Sequence, residues 1–397
     1  MPSTTDTPSR TWGMRLLLVL AMALPNALLY AISALGPQLV HELTITPASL
    51  GYFTMASYGT AAALSPWAGL LVNRLGVRHS LLLLFAMVAL TFGLTVGLPG
   101  FYTLLLATAP LGLAQALSNP ATNLLIARRV APQRRAFVVG LKQAGISFAA
   151  LFSGLVLPIC ALHIGWRGAF ALLLLLALLA LALGLAVLKR SEHPAGSVAS
   201  WRAPRPNGLL ALLMGTQFCV GSAIATFVTY LPAYGTDLGM AKTTAGLLLA
   251  LFGVAGAVSR LLATPLSARL REEALLLGGL LLGASASVAV ALHSAAHTPA
   301  LLWLAAAGFG LSAVPASAIA MSMLIRDAAF GEVAVTAGMV SGTFFAGLAI
   351  GPACAGLLAR FSGSLSSAWE LALAMVLTAT ALTLLLARAR SRAGSAI

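Results

Sequence analysis

Apolar stretches dominate this sequence: about twelve of them, each roughly 18 to 27 residues long, follow one another with few charges between them. A helix needs about 20 apolar residues to cross the hydrocarbon core of a bilayer, so each stretch is long enough to span it. The chain is 60% hydrophobic and 8% charged, whereas a soluble domain needs about a quarter of its residues charged. The sequence therefore predicts an all-α polytopic membrane protein with no separate soluble domain.

The apolar stretches form two groups of six, divided by a polar segment. We expect a tail at 1–14, a six-helix bundle at 15–188, a linker at 189–208, a second six-helix bundle at 209–388 and a tail at 389–397. The twelve predicted helices run over 15–40, 48–72, 80–98, 101–127, 137–161, 168–188, 209–233, 243–267, 274–292, 299–325, 334–358 and 367–388. Twelve transmembrane helices in two bundles are therefore the predicted architecture.

The basic residues are sorted by side of the membrane. Most fall in segments predicted to be cytoplasmic, including the four arginines between positions 128 and 135, whereas Arg167, Lys242 and Arg360 fall on the other side. This is the positive-inside pattern of membrane proteins. It predicts an inner (plasma) membrane protein with both termini in the cytoplasm. It also means that the net charge of +14 reflects topology, so we expect no nucleic-acid partner.

The two groups of helices also repeat each other. At an offset of 195 residues, Pro37 matches Pro232, Gly51 matches Gly246, Arg74 matches Arg269 and Pro120 matches Pro315. These landmarks fall at equivalent places in the order of the helices. A duplication of one six-helix unit, related by a pseudo-two-fold axis, is the simplest account of the pattern.

Polar side chains are concentrated in two of every three predicted helices. The third, sixth, ninth and twelfth are nearly featureless and are expected to face lipid. The remaining eight are expected to surround a polar path, and Gln115, Asn119 and Asn123 form one stripe because they are four residues apart on a helix. The candidate substrate-binding residues are Asn26, Tyr30, Gln115, Asn119, Asn123, Lys142, Gln143, Gln217 and Tyr230.

The segment GLLVNRLGVRHSL, from Gly69 to Leu81, resembles the loop motif of the major facilitator superfamily. The matching positions are Gly69, Leu71, Arg74, Gly76, Arg78 and Leu81. Further along, the runs NPATNLLIARRVAPQRR, GLKQAG and GWRGAF resemble the branch of that family containing cyanate and nitroimidazole transporters. The resemblance implies two bundles that rock about a site at the middle of the membrane, giving alternating access to its two sides.

The same resemblance implies a set of gating residues. Gly69 is expected to let the eleventh helix approach, and Asn73 replaces the acid that holds this latch in relatives, so we predict a weaker latch. Glu332 is a candidate ionic partner for Arg74 or Arg78, and Arg260 resembles an arginine that supports the cytoplasmic gate. The predicted gating set is Gly69, Asn73, Arg74, Gly76, Arg78, Arg260 and Glu332.

The position of Lys142 in the sequence allows two interpretations. It lies close enough to the predicted membrane entry for its long side chain to reach the headgroups. Alternatively, the hairpin of the fourth and fifth helices brings Asn123 near its ammonium group, which then meets an anionic part of the substrate. Burying an ammonium in lipid costs roughly 2.5 to 3.5 kcal/mol, so it requires water, amides or an anion as partners.

All nine acids and all six histidines fall in predicted loops, tails or helix ends. The predicted bundle thus contains basic side chains, Lys142 and Arg260, but no acidic ones. This favours a secondary transporter of a small organic or inorganic anion. The alternative is an exporter of neutral or lipophilic compounds, in which Lys142 reaches the headgroups. No hydrolase motif is present and the three cysteines lack metal-ligand spacing, so we expect no enzyme, metal or cofactor. The expected partners are a small-molecule substrate and the bilayer, and the expected state is a monomer.

Overall fold

The computed structural model describes residues 8–188, 206–269, 272–294, 298–331 and 333–394. Within these ranges the chain is helical and contains no β-strand. The α-helices are α1 (Pro8–Glu42), α2 (Leu50–Gly97), α3 (Phe101–Thr108), α4 (Pro110–Arg129), α5 (Pro132–Leu155), α6 (Leu157–Val187), α7 (Gly208–Asp237), α8 (Lys242–Arg269), α9 (Glu273–Leu292), α10 (Ala300–Ala313), α11 (Ala316–Arg326), α12 (Val333–Ser362) and α13 (Ser366–Gly394). Short 3₁₀ turns lie at Pro47–Ser49 and Ala328–Phe330.

Eleven helical stretches of the described residues are long and apolar enough to cross a membrane. The prediction of an all-α membrane protein is therefore confirmed. One stretch, Pro47–Gly97, has 51 residues and would measure about 75 Å as a single helix, well beyond the roughly 30 Å of a hydrocarbon core. It is interrupted at Gly76, whose φ of 74° and ψ of 163° lie outside the helical region. Glycine adopts this conformation without the clash that a Cβ would create.

Proline and glycine set the other interruptions. The chain turns within α6 at Gly165, which has a φ of 72°, so the break between the predicted helices 137–161 and 168–188 lies there. The stretches predicted as single helices at 101–127 and 299–325 are each broken, before Pro110 and at Pro315. A proline lacks the N–H that would bond to the carbonyl four residues earlier. The carbonyl that Pro315 leaves free belongs to Leu311, and the Ser259 hydroxyl of α8 donates to it.

The two halves of the chain, α1–α6 and α7–α13, pack mainly through three helix pairs, which are α1 with α7, α2 with α12, and α5 with α8. Glycines at these contacts allow backbones to touch: a Cβ added at Gly51 would overlap the Pro352 carbonyl, and one at Gly154 would overlap the backbone of α8 at Gly246 and Ala250. Such approaches by small residues are the usual way in which helices associate in membranes.

The closest contacts between the halves gather at one end of the bundle. We call it the arginine-poor end, defined by the loops at 43–49, 238–241 and 363–365; the opposite, arginine-rich end carries Arg74, Arg78, Arg128 and Arg129. Gly51 and Gly246 lie in the first turns after arginine-poor loops. By contrast, a Cβ added at Gly69 would have no described atom within 4 Å, apart from those of its own helix. The halves are therefore closed against each other at the arginine-poor end.

Candidate functional site

Arg260 joins the two halves near the middle of α5 and α8. Its Nη1 donates to the Ser147 hydroxyl at 2.8 Å and lies 3.4 Å from the Gln143 carbonyl oxygen. A Cβ at Gly253, two turns away on α8, would meet the backbone of α5 at Ser147 and Leu151, so the two helices are in close contact here. Only Nη1 of the guanidinium has hydrogen-bond partners among the described residues, which leaves Nε and Nη2 as donors for another group.

Two tyrosines and an asparagine extend this polar cluster into α1 and α2. Tyr30 lies one turn after Asn26 on α1, and α1 packs closely on α5 here, because a Cβ added at Gly145 would overlap the Val19 carbonyl oxygen. The Tyr58 hydroxyl donates to Asn26 Oδ1 at 3.1 Å, and Asn26 Nδ2 donates to the Met22 carbonyl at 2.8 Å. Because the asparagine is held by its own helix, it fixes the position of the Tyr58 ring.

An aromatic contact closes the cluster from the second half. The rings of Tyr58 and Phe345 of α12 are stacked, with centroids 6.0 Å apart and planes inclined by 23°. Both side chains are buried. Residues from α1, α2, α5, α8 and α12 therefore converge on one place between the halves. We call the group Asn26, Tyr30, Tyr58, Ser147, Arg260 and Phe345 the central cluster.

The central cluster carries one formal positive charge and no described carboxylate. The described parts of α4, α5, α6 and α8 contain no acid, and α1 contains only Glu42, in its last turn. Glu42 accepts a hydrogen bond from Trp166 Nε1 at 2.7 Å at the arginine-poor end. A guanidinium partly removed from water and without a counter-charge attracts an anion.

Lys142 lies in α5, 1% exposed, and is held entirely by α4. Its Nζ donates to Asn123 Oδ1 at 2.6 Å, to Thr122 Oγ1 at 2.9 Å and to Asn119 Oδ1 at 3.3 Å. The three N–H bonds of the ammonium are thus matched by three neutral oxygens. The predicted meeting of Lys142 with Asn123 is present, and Thr122, which the stripe of amides did not single out, completes the set.

The other predicted amides join helices. Gln115 is 1% exposed; its Nε2 donates to the Pro25 carbonyl at 3.0 Å, and its Oε1 lies 3.4 Å from the Ser57 hydroxyl. The Gln217 amide in α7 lies 3.4 Å from the Ala316 carbonyl of α11. Gln115 therefore points away from the Asn119 and Asn123 oxygens that bind Lys142, and the predicted stripe is divided between two tasks.

Tyr230 lies at the arginine-poor end and is fully buried. Its hydroxyl is 2.7 Å from the Pro352 carbonyl of α12 and 3.2 Å from the Ala48 carbonyl before α2. One hydroxyl proton serves the two oxygens, which belong to different halves of the chain. Tyr230 is thus part of the contact that closes this end, and it does not belong to the central cluster.

The loop motif lies at the arginine-rich end. Gly76 forms the turn between the two segments of α2, whereas Asn73 and Arg78 are partly exposed and Arg74 is exposed. Glu332, the predicted ionic partner, lies outside the described residues. The approach of α12 to α2 is found at Gly51, and near Gly342, where an added Cβ would be 3.7 Å from the Ala62 carbonyl oxygen.

Signals for the residues missed by sequence reasoning were weak. Ser147 is four residues after Gln143 and so lies on the same face of α5, and Thr122 lies directly before Asn123. Tyr58 and Phe345 lie on helices expected to surround the polar path, but nothing in the sequence distinguishes them from the other aromatic residues of those helices. Their pairing depends on how α2 and α12 are rotated about their axes, which no local pattern specifies.

The fold and this site define a class: a polytopic helical membrane protein with a polar cluster enclosed between its two halves. The sequence profile of the Major Facilitator Superfamily matches residues 16–344 and 213–396, and the chain belongs to this family. Members of the family are transporters and not enzymes. The predicted resemblance to the family is therefore confirmed.

Two relatives show what the chain resembles in detail. It is 30% identical over 226 residues to the 2-nitroimidazole transporter of Escherichia coli (strain K12); this match covers 55% of the chain and 56% of that protein. The chain thus spans about half the length of this curated relative. Its fold is similar to a solved bacterial homologue of the human lysosomal transporter Spinster, in an inward-facing and occupied conformation. The TM-score is 0.74 at 17% identity, over 97% of this chain and 98% of the other.

Proposed function

We propose that this protein is a secondary transporter that moves a small anion across the inner membrane by alternating access. Arg260 carries the proposal, because it is a charged donor between the two halves whose Nε and Nη2 lack described partners. We further propose twelve spanning helices: dividing Pro47–Gly97 at Gly76 adds one to the eleven apolar stretches. In this arrangement α3 with α4, and α10 with α11, each form one broken spanning segment.

Contacts within each half support the duplication. A Cβ at Gly112 would meet Ser57, Thr60 and Ala61; one at Gly310 would meet Phe252, Ala255 and Gly256. The two sets of neighbours differ by the same 195 positions that relate the repeats in the sequence, and the two glycines themselves are 198 positions apart. Two-fold symmetry would also bring equivalent residues together at the axis. The Ser33 hydroxyl donates to the Val228 carbonyl, its equivalent at the same offset.

The arginine distribution supports the proposed orientation. Placing the arginine-rich end in the cytoplasm satisfies the positive-inside rule and puts both termini on that side. The end at which the halves are closed then faces outward, as in an inward-facing conformation. Twelve helices in one chain can enclose the path by themselves, and we propose a monomer.

The substrate preference rests on charge. An anion entering from the cytoplasmic side would meet Arg260, which offers two further donors in the planar geometry that suits carboxylates and other oxyanions. Lys142 is a second candidate, and an anion would reach it by replacing the Asn119 or Asn123 oxygen. Gln143 lies beside Arg260 through its backbone carbonyl, and Asn26 and Tyr30 of α1 are proposed to line the path next to it. Gln115, Gln217 and Tyr230 are proposed to shape the path rather than to contact the anion.

The second candidate function is export of a neutral or lipophilic compound. One observation favours it: the matched relative is a transporter of 2-nitroimidazole. In that case the Tyr58 and Phe345 rings would form the binding surface, and Arg260 would serve the cytoplasmic gate.

Flux in proteoliposomes separates the two functions. We expect labelled nitrate, acetate or benzoate to exchange across liposomes containing the protein, faster than across protein-free liposomes. A membrane potential should bias the net flux of an anion that crosses alone, because that flux moves charge, whereas one-for-one anion exchange moves no net charge. If labelled 2-nitroimidazole is exchanged while none of these anions is, the anion proposal is wrong and export of neutral compounds is favoured.

Lys142→Met tests whether the lysine is retained for function. The variant removes a buried ammonium, which is costly to keep away from water. Of the three oxygens that lose this donor, only that of Thr122 belongs to a buried side chain, so the loss of the contacts costs little. We therefore expect an unchanged or higher melting temperature together with impaired anion exchange. A lower melting temperature with normal exchange would show instead that Lys142 mainly fastens α4 to α5.

Asn73→Asp tests the proposed weak latch at the cytoplasmic end. A carboxylate near the first turn of a helix gains roughly 0.3 to 1 kcal/mol from the helix dipole. We expect the variant to stabilise the state in which the cytoplasmic end is closed, shifting the two-state ratio about two- to fivefold. Distance measurements between spin labels on the two halves would detect this shift. An unchanged ratio would argue that residue 73 has no part in the latch.

A further inference from the structure

Within the central cluster, Tyr58 and Phe345 form an aromatic contact between the two halves. Tyr58 belongs to α2 and Phe345 to α12, so relative movement of the halves changes the separation of their rings. At a centroid separation of 6.0 Å and an inclination of 23° the rings are stacked on each other and leave no room between them. Faces in contact are about 3.5 Å apart, and a flat ring between them needs about 7 Å. Such a slot forms when the halves move apart here by about 3.5 Å, the thickness of one ring.

The guanidinium and this aromatic contact lie against the same helix, α1. A Cβ added at Gly145, two residues before Ser147 in α5, would overlap the Val19 carbonyl oxygen of α1, and Asn26, two turns after Val19, holds the Tyr58 hydroxyl at 3.1 Å. One end of the central cluster therefore offers charged donors, and the other offers two flat apolar faces. The Ser147 hydroxyl at 2.8 Å orients the guanidinium from the side opposite its unused nitrogens.

We infer that the central cluster recognises a flat aromatic ring bearing a carboxylate, with the carboxylate on Arg260 and the ring against Tyr58 and Phe345. This inference rests on the proposed transport of an anion and specifies its chemical class. An aromatic ring contributes stacking contacts that a saturated ring of similar size lacks. The carboxylate accepts paired N–H bonds from the planar guanidinium. Arg260 thus recognises the charge of the ligand, and Tyr58 and Phe345 recognise its flat ring.

Three probes separate these contributions in binding assays on the purified full-length protein. Benzoate has both features, cyclohexanecarboxylate has the charge without the flat ring, and benzamide has the ring without the charge. We expect benzoate to bind about tenfold or more tightly than cyclohexanecarboxylate, given two aromatic faces, and benzamide to bind more weakly than benzoate. Phe345→Leu should reduce the preference for benzoate over cyclohexanecarboxylate about threefold or more, because only the Tyr58 face remains, while leaving the affinity for cyclohexanecarboxylate within about twofold. Phe344→Leu, which changes the adjacent aromatic residue, is the matched control and should retain the preference.

The outcomes distinguish this inference from the proposal beneath it. Equal binding of benzoate and cyclohexanecarboxylate by the unmodified protein, or an undiminished preference in Phe345→Leu, would overturn the aromatic inference and leave the anion proposal intact. Benzamide binding as tightly as benzoate would overturn the inference as stated, because the charge would then not be recognised. If neither carboxylate binds but nitrate or acetate is exchanged by proteoliposomes, the inference is overturned and anion transport stands.

Discussion

Arg260→Gln is expected to reduce the apparent affinity for a transported anion by at least about thirtyfold. Removing one partner of a buried charged contact usually costs 2 to 5 kcal/mol, and 2 kcal/mol corresponds to a change of about thirtyfold. Glutamine retains a donor for Ser147 but has neither the charge nor the paired N–H groups. The measurement is the concentration dependence of anion exchange in proteoliposomes, with nitrate, acetate and benzoate as probes.

Two further variants control this experiment. Arg260→Lys retains the positive charge without the planar geometry and should give an intermediate affinity. Arg167→Gln removes an arginine at the arginine-poor end, where the guanidinium lies 4.5 Å over the Trp166 ring, and should leave the affinity unchanged. An unchanged affinity in Arg260→Gln would contradict the anion site and would favour the gating role that the family resemblance assigns to this arginine.

Gly51→Ala is expected to open the arginine-poor end and to slow transport about tenfold or more. The added Cβ would overlap the Pro352 carbonyl and the Ala353 nitrogen; both are backbone atoms that cannot rotate away. Overpacking of this kind costs about 1 to 3 kcal/mol. The cost is relieved when the halves separate at this end, so the population moves toward the outward-open state.

The same helix provides the control for this prediction. Gly59→Ala makes the same chemical change in α2, eight residues further along, where no described atom would lie within 4 Å of the new Cβ. It should leave both transport and the conformational ratio close to those of the unmodified protein. The repeat provides a second test: Gly246→Ala should resemble Gly51→Ala, because its Cβ would lie 2.8 Å from both the Gly154 carbonyl oxygen and the Pro158 ring. Equal behaviour of Gly51→Ala and Gly59→Ala would refute the role of close packing at this end.

Much of the fold follows from composition and from a few glycines. Apolar length predicts the membrane-spanning helices, and the loop motif places a turn where Gly76 adopts a positive φ. The breaks at Pro110 and Pro315 were not predicted, because prolines inside membrane helices often leave the helix continuous. Whether a helix breaks depends on a neighbour that satisfies the freed carbonyl, as Ser259 does for Leu311. Such neighbours are tertiary information.

The site was predictable where one hairpin determines it, and less so where the two halves meet. Lys142 and Asn123 were expected to be close because consecutive helices run back along each other, and Lys142 Nζ lies 2.6 Å from Asn123 Oδ1. Gln115 belongs to the same stripe, yet its amide bonds to the Pro25 carbonyl of α1. The contacts of Arg260 with Ser147 and of Tyr58 with Phe345 join residues more than a hundred positions apart. These contacts depend on how each helix is rotated about its own axis, which packing fixes and sequence periodicity does not encode.

Alternating access, the central claim, is tested most directly by measuring distances at both ends of the same protein. In a variant whose three cysteines are replaced by alanine, spin labels at positions 41 and 242 report the arginine-poor end, and labels at 131 and 329 report the arginine-rich end. We expect two populations at each end and opposite shifts: Gly51→Ala should lengthen the first distance and shorten the second relative to Gly59→Ala. A single unchanging distance at either end, or distances that lengthen together, would contradict the account.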